Sequence, residues 1–219
     1  MTEPAYLSAT RAAYDKVAAD YHELLRKSLA RMPYDRAMLG VFAEYVRAAD
    51  AGPVADIGCG PGRITAYLDS LGVPVSGIDL SPEMIAVARR TYPALRFEVG
   101  SMSALDLEDG ELGGVVAYYS IIHTPPELLP PIFAEFARVL APGGHLLLAF
   151  QVGDEPRHIT SAYGHDGLDY NAYRLQPDHI ATLATDVGFQ PISRLVREPE
   201  GEYENSPQAH LILRKPAAA

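Results

Sequence analysis

Val54-Ala-Asp-Ile-Gly-Cys-Gly-Pro-Gly62, running on into Arg63-Ile-Thr-Ala-Tyr-Leu68, decides the fold of this 219-residue chain. A short apolar run ends in an acid, Asp56, and opens into glycines at 58, 60 and 62. An apolar-periodic segment follows. The pattern reads as strand, tight turn and helix start. Glycine lets the backbone approach a ligand because no Cβ intervenes. The helix start offers N–H groups without intrahelical partners. The spacing is G-x-G-x-G, not the G-x-G-x-x-G of dinucleotide binders.

Twenty-one residues beyond Gly58 stands Asp79, at the end of a second short strand, Val75-Ser-Gly-Ile-Asp79. That interval holds one helix and one strand, so the two acids tip neighbouring strands. A carboxylate so placed accepts ribose hydroxyls. Ser81-Pro82 then supplies a helix N-cap and a first-position proline. Outward from this centre, strands are predicted at 54–57, 74–79, 95–99, 114–119 and 145–151. Helices are predicted at 62–71, 82–91 and 126–140. Such alternation implies an α/β, Rossmann-like, mostly parallel seven-stranded sheet with helices on both faces. Its last two strands, 191–198 and 208–214, form a C-terminal antiparallel hairpin after a helix that Pro177 starts. Residues 4–29 and 33–47 read as amphipathic helices. Residues 152–175, polar and aromatic, read as an inserted loop. The tail from Lys215 reads as frayed.

The chain resembles the class I S-adenosylmethionine-dependent methyltransferases. Asp56–Gly62 is similar to the family's first motif, Gly77-Ile-Asp-Leu-Ser81 to its second, and Arg138-Val-Leu-Ala-Pro-Gly-Gly144 to its late helix-to-strand turn. The resemblance implies S-adenosyl-L-methionine as cofactor, held by Asp56, Gly58, Gly60, Gly62, Asp79, Leu80, Met84, Ser101, Met102 and Ser120. Asp56 would take the methionyl ammonium, Asp79 the ribose, and Leu80 or Met84 a face of the adenine. The family often carries an acid where Ser101 stands, so here a hydroxyl or the Met102 backbone must serve. It also implies a single domain over 1–219, with 1–50 as a helical lid and 152–175 lying over the active site.

Composition narrows the function. A net charge of −10 with only three lysines, Lys16, Lys27 and Lys215, argues against nucleic acid. No apolar run is long enough for a bilayer. The N-terminus reads without a signal peptide, giving a cytoplasmic expectation. The lone Cys59 reads as a buried structural thiol. His158 and His165 lack the companions of a metal site, so no metal is expected.

Methyl transfer from a sulfonium is an in-line displacement, and a base is needed only where the acceptor keeps its proton. His123, just past the fourth strand, is the candidate base. It also reads as a loop histidine bonded to backbone. Tyr14 and Tyr21 share a helix face and are candidates to touch the reacting groups. Tyr163, His165, Tyr170 and Tyr173 are candidates for a substrate pocket. The leading reading is methylation of an O or N atom of a small-molecule acceptor, in specialised metabolism. The alternatives are peptide N- or O-methylation and a non-catalytic cofactor sensor. The residues leave oligomeric state open.

Overall fold

The computed structural model describes residues 3–201 and 204–217. Two helices lead: α1 (Ala5–Leu25) and α2 (Pro33–Ala49). The alternating run is β1 (Val54–Ile57), α3 (Arg63–Ser70), β2 (Val75–Asp79), α4 (Pro82–Thr91), β3 (Arg96–Val99), β4 (Leu112–Tyr118), α5 (Leu129–Val139) and β5 (Leu140–Gln151). A hairpin follows, β6 (Pro156–Ala162) and β7 (His165–Tyr173). Then come α6 (Pro177–Asp186), β8 (Gln190–Arg197) and β9 (Gln208–Arg214).

Seven strands make one sheet in the order β3-β2-β1-β4-β5-β9-β8. β1 to β5 are parallel, and β9 runs antiparallel to both β5 and β8. The central strands β1 and β4 are buried throughout, as strands covered on both faces must be. One face packs Leu129, Phe133 and Phe136 of α5 with Ile180 of α6. The other packs Leu39, Phe42 and Val46 of α2 with Leu68 of α3. The order reverses between β1 and β4, and a ligand crevice opens beyond the strand tips at such a reversal. Register sets Asp56 beside Gly77 and Val116, and Asp79 beside Val99.

Several predicted bounds shift for local reasons. The first helix stops at Leu25, and Ser28–Arg31 forms a separate 3-10 turn. α5 starts at Leu129 rather than 126, because prolines are tolerated only in a helix's first turn. β5 begins at Leu140, which pairs with Leu112 before the register breaks.

The segment 152–175 is not a loop. It folds as the two-stranded antiparallel sheet β6–β7. Leu168, Tyr170 and Ala172 are buried while their neighbours are exposed, the period-2 alternation of a strand. Tyr163 and Gly164 turn the hairpin with φ of 53° and 82°, the paired left-handed conformation of a two-residue turn.

The tail is pinned at Lys215. Its ammonium donates to the carbonyls of Ala137 (2.7 Å) and Leu140 (2.6 Å) at the end of α5. Ala218 and Ala219, included in the frayed tail expected from sequence, lie outside the described residues, as do Met1 and Thr2 of the N-terminus. No described helix is long and apolar enough to cross a membrane.

Candidate active site

Two adjoining cavities open beyond the strand tips. Gly58, Gly60, Tyr14, Tyr21, Tyr118 and Tyr119 line both of them. The first is completed by Asp79, Leu80 and Met84 after β2, Ser101 and Met102 after β3, and Ser120 and His123 after β4. Helix α1 roofs it with Tyr6, Thr10 and Arg11. The second holds Asp56, Cys59, Arg63, Gln151, Arg157, Tyr163, Glu204 and Gln208.

The glycine turn is built from within. Asp79 accepts from the Gly60 N–H (2.7 Å) on one oxygen and from the Ser81 N–H (2.8 Å) on the other. This straps the turn to the tip of β2. The three glycines then divide by role. All have positive φ, at 77°, 55° and 82° for Gly58, Gly60 and Gly62. A Cβ on Gly62 would meet the Phe97 ring at 2.7 Å, so this glycine serves packing against β3 and lines neither cavity. A Cβ on Gly58 would strike Ser120 at 2.2 Å. A Cβ on Gly60 would meet nothing nearer than 4.0 Å and would occupy the cavity itself. Gly60 is thus the glycine whose missing Cβ leaves cavity space open, whereas Gly62, a cofactor candidate from sequence, faces Phe97 and lines neither cavity.

The two acids are both buried, and both are perturbed. Burial pushes Asp56 up to about 7, against the Thr65 hydroxyl that donates to its Oδ2 at 2.7 Å. Its Oδ1 has no partner among the described residues. Burial likewise pushes Asp79 up to about 6, against the Ser81 and Gly60 N–H groups. Facing the second cavity with Asp56 is Arg63, whose Nη1 is also buried and unpartnered. An orphan carboxylate oxygen and an orphan guanidinium nitrogen in one cavity suit the two ends of an α-amino acid zwitterion. Arg63 was missed in the sequence, where it reads only as the first residue of a helix.

Helix α1 is fastened over the site. Asp15 accepts from the Ser81 hydroxyl and from the Glu83 N–H, so it joins Ser81 in capping α4. At its other end α1 meets the β6–β7 hairpin. Tyr21 and Tyr163 pack edge to face with ring centres 4.8 Å apart. His165 Nε2 lies 2.7 Å from Asp20, and Lys16 donates to the Asp166 carbonyl at 2.6 Å.

Tyr14 and His123 form a pair. His123 Nδ1 donates to the Asn171 carbonyl at 3.2 Å, which leaves Nε2 to accept from the Tyr14 hydroxyl at 2.9 Å. Burial drives His123 down to about 4, against its bond to Asn171. The ring is therefore neutral at neutral pH, with its free lone pair committed to Tyr14.

The four residues predicted for a substrate pocket separate. Tyr163 lines the second cavity. His165 is engaged with Asp20 on the outer side of α1. Tyr170 is buried against Tyr14 and His123, with ring centres 5.6 and 5.5 Å away. Tyr173 packs against the core below α5 and α6. The last three line neither cavity, because alternation along β7 turns Tyr170 inward beneath the hairpin. Ser101 does face the first cavity, its hydroxyl shared with Ser103 at 2.8 Å. Ser120 faces it too, but its hydroxyl already donates to the Ile57 carbonyl at 2.7 Å. Cys59 is buried and its thiol is pushed well above the ordinary range by burial, which makes it inert.

Residues 54–144 match the family model of a methyltransferase domain. An O-methyltransferase of Pyrenophora dematioidea is 31% identical over 146 residues, covering 63% of this chain and 54% of that protein. A demethylmenaquinone methyltransferase of Chlorobaculum parvum is 32% identical over 142 residues, covering 63% and 57%. The chain thus spans little more than half the length of these relatives. The magnesium protoporphyrin IX methyltransferase of Synechocystis PCC 6803, solved with bound S-adenosylmethionine, superposes with a TM-score of 0.72 over 98% of this chain and 99% of that one. Its sequence identity is 16%, a level at which the likeness establishes the fold.

Proposed function

We propose that this chain, a member of the class I S-adenosylmethionine-dependent methyltransferase family, transfers a methyl group from S-adenosylmethionine to an oxygen or nitrogen atom of a small metabolite. The observation that carries this reading is the pair of cavities meeting at one wall of tyrosines and glycines. One cavity suits a nucleoside and the other has room for an acceptor. The cofactor, when bound, supplies a methyl group on a positively charged sulfur that is already a good leaving group.

The chain's own residues bind and orient. Asp79 keeps lone pairs free for the ribose hydroxyls beyond its two backbone bonds. Asp56 Oδ1 and Arg63 Nη1 take the ammonium and carboxylate of the amino acid end. Leu80, Met84 and Met102 give the adenine apolar walls. Gly60 lets the turn approach. α1 roofs both cavities in part and the β6–β7 hairpin borders the second, and a partly roofed pocket serves a small acceptor better than a peptide. Tyr14 faces both cavities, and His123 fixes the direction of its hydroxyl. With its lone pair occupied and its basicity depressed, His123 acts by positioning Tyr14.

The reading is tested with cofactor labelled on its methyl group and a panel of phenols, amines and short peptides. Label is expected in a phenol or amine. Cofactor binding without transfer to any member would favour a sensor instead. In that assay, Tyr14→Phe should lower kcat by roughly ten- to a hundredfold, and His123→Ala by a similar factor if it works only through Tyr14. The double variant should then be no slower than either single one; multiplying losses would show that His123 acts independently.

The glycines give a second check. Gly62→Ala should cost about 2–4 kcal/mol of stability, from overpacking on Phe97 and a left-handed non-glycine residue. Gly60→Ala should cost only about 1–2 kcal/mol but should weaken S-adenosylhomocysteine binding by about tenfold or more. Denaturant melts and calorimetry read the two effects separately. Equal loss of affinity in both variants would remove Gly60 from the proposed contact.

A further inference from the structure

We infer that Asp15 is a positioning residue for the nucleoside: through Ser81, which it shares with Asp79, it holds α1 down over the first cavity and ties closure of that helix to occupation of the cavity. The inference rests on the methyltransferase reading and adds a residue that acts on the cofactor from outside its cavity.

α1 roofs the first cavity, yet packing anchors it lightly. Tyr6, Leu7, Thr10, Arg11, Tyr14 and Tyr21 of this helix all line that cavity. A nucleoside seated at Asp79 therefore lies beneath the helix. Of its 21 residues, Thr10, Ala13, Val17 and Ala18 are buried, and the three apolar ones carry short side chains. They pack with Met84 and Val87 of α4 and with Leu168 and Tyr170 of β7, in a cluster separate from the two that flank the sheet. A helix with few buried apolar contacts opens at lower cost than the cores beside it. Its polar contacts then decide how firmly it closes.

Asp15 links the helix to the residue assigned to the ribose, and it lines neither cavity itself. Its Oδ1 accepts from the Ser81 hydroxyl at 2.5 Å and from the Glu83 N–H at 3.3 Å. Ser81 is 1% exposed, and its N–H donates to Asp79 Oδ1 at 2.8 Å. Asp79 Oδ2 in turn accepts from the Gly60 N–H at 2.7 Å. A continuous path thus runs from α1 through Ser81 and Asp79 to the glycine turn. One residue before Asp15, the Tyr14 hydroxyl meets His123 at 2.9 Å, so the grip at Asp15 also sets where that hydroxyl stands.

The same path carries the coupling. Asp15 and Asp79 are two carboxylates bonded to one serine, and the charge of Asp15 is among the causes that raise the Asp79 pKa. Like charges so placed oppose each other. Ribose hydroxyls donating to Asp79 draw on its charge and ease that opposition. A bound nucleoside therefore strengthens the grip on α1, and the closed helix in turn retains the nucleoside.

The probe is S-adenosylhomocysteine, added to the full chain. Hydrogen–deuterium exchange over Ala5–Leu25 and the dissociation rate of the probe are measured in the wild type, in Asp15→Ala and in Asp15→Asn. Binding should slow exchange across α1 in the wild type by about tenfold or more. Asp15→Ala should remove most of that protection and speed dissociation by about tenfold. Asp15→Asn keeps an acceptor oxygen for the Ser81 hydroxyl and should restore most of both. Loss of the α4 cap alone would raise exchange equally with and without the probe. Three results overturn the inference and leave the methyltransferase reading standing: bound probe without protection of α1 in the wild type, an unchanged dissociation rate in Asp15→Ala, or dissociation from Asp15→Asn as fast as from Asp15→Ala. The first of them is read on the wild type and so does not depend on any variant folding. No binding of the probe to the wild type would sink the methyltransferase reading, and this inference with it.

Discussion

Asp35→Ala is expected to lower the unfolding free energy by about 3–5 kcal/mol, the range found when one partner of a buried ion pair is removed. Asp35 is 1% exposed, in the first turn of α2. It accepts from the Tyr118 hydroxyl and lies 3.6 Å from His210 Nε2 and 3.7 Å from an Arg197 nitrogen. Burial alone would raise its pKa. The His210 and Tyr118 hydrogen bonds and the Arg197 charge outweigh that and hold it below the usual range. Removing the carboxylate leaves Arg197 with Glu204 and the Glu198 carbonyl, and leaves the Tyr118 hydroxyl with only the long 3.4 Å contact to His210 Nε2. The same variant should loosen the cavity wall, since Tyr118 lines both cavities. Asp109→Ala is the control. That carboxylate pairs with Arg138 at 2.8 Å but is 83% exposed, so its loss should cost under about 1 kcal/mol. Denaturant titration reads both. A loss at Asp35 no larger than at Asp109 would show that the buried cluster does not contribute net stability.

That cluster also marks how far the sequence could be read. β1, the glycine turn, α3 and β2 were legible because each is specified by neighbours in the chain: an apolar run, glycines at fixed spacing and an acid at the end. The switch from period 2 to helical spacing gave the parallel sheet. The alternation Leu168-x-Tyr170-x-Ala172 was also present, but polar residues and two glycines masked it, and the hairpin read as a loop. Asp35, Tyr118, Arg197, Glu204 and His210 come from four elements and a loop, and only the folded sheet brings them together. Nothing local separates Asp35 from any acid at a helix start. Arg63 and Tyr119 were hidden in the same way. Their signal is a buried polar atom without a partner, a property of packing. That Asp56 and Asp79 line the cavities was legible because position on a strand tip is itself a sequence property. At Gly62 the missing Cβ makes room for Phe97, and spacing cannot tell such a glycine from one that bares backbone.

The affinity for S-adenosylhomocysteine should fall steeply as pH drops below 7, by roughly tenfold per unit, because Asp56 must be ionised to hold an ammonium. The sign follows from burial. With Asp56 pushed up to about 7 and Asp79 to about 6, both carry protons in the unliganded protein at pH 5. Acids raised above an unfolded value of about 3.9 favour the folded state most at low pH. That contribution fades as pH climbs through 6 and 7, so the unliganded protein should lose stability over this interval. Binding reverses the balance at Asp56: a positive charge beside Oδ1 lowers its pKa, and complex formation near pH 6.5 should release up to about one proton. Calorimetry in buffers of different ionisation enthalpy measures that release directly. Asp56→Asn keeps the shape and the Thr65 contact but has no proton to lose. Its affinity should be lower at pH 7.5 and much flatter from there to pH 6, with the residual slope below that belonging to Asp79. An Asn variant that retains the full wild-type slope above pH 6 would assign the titration to another group and take the ammonium away from Asp56.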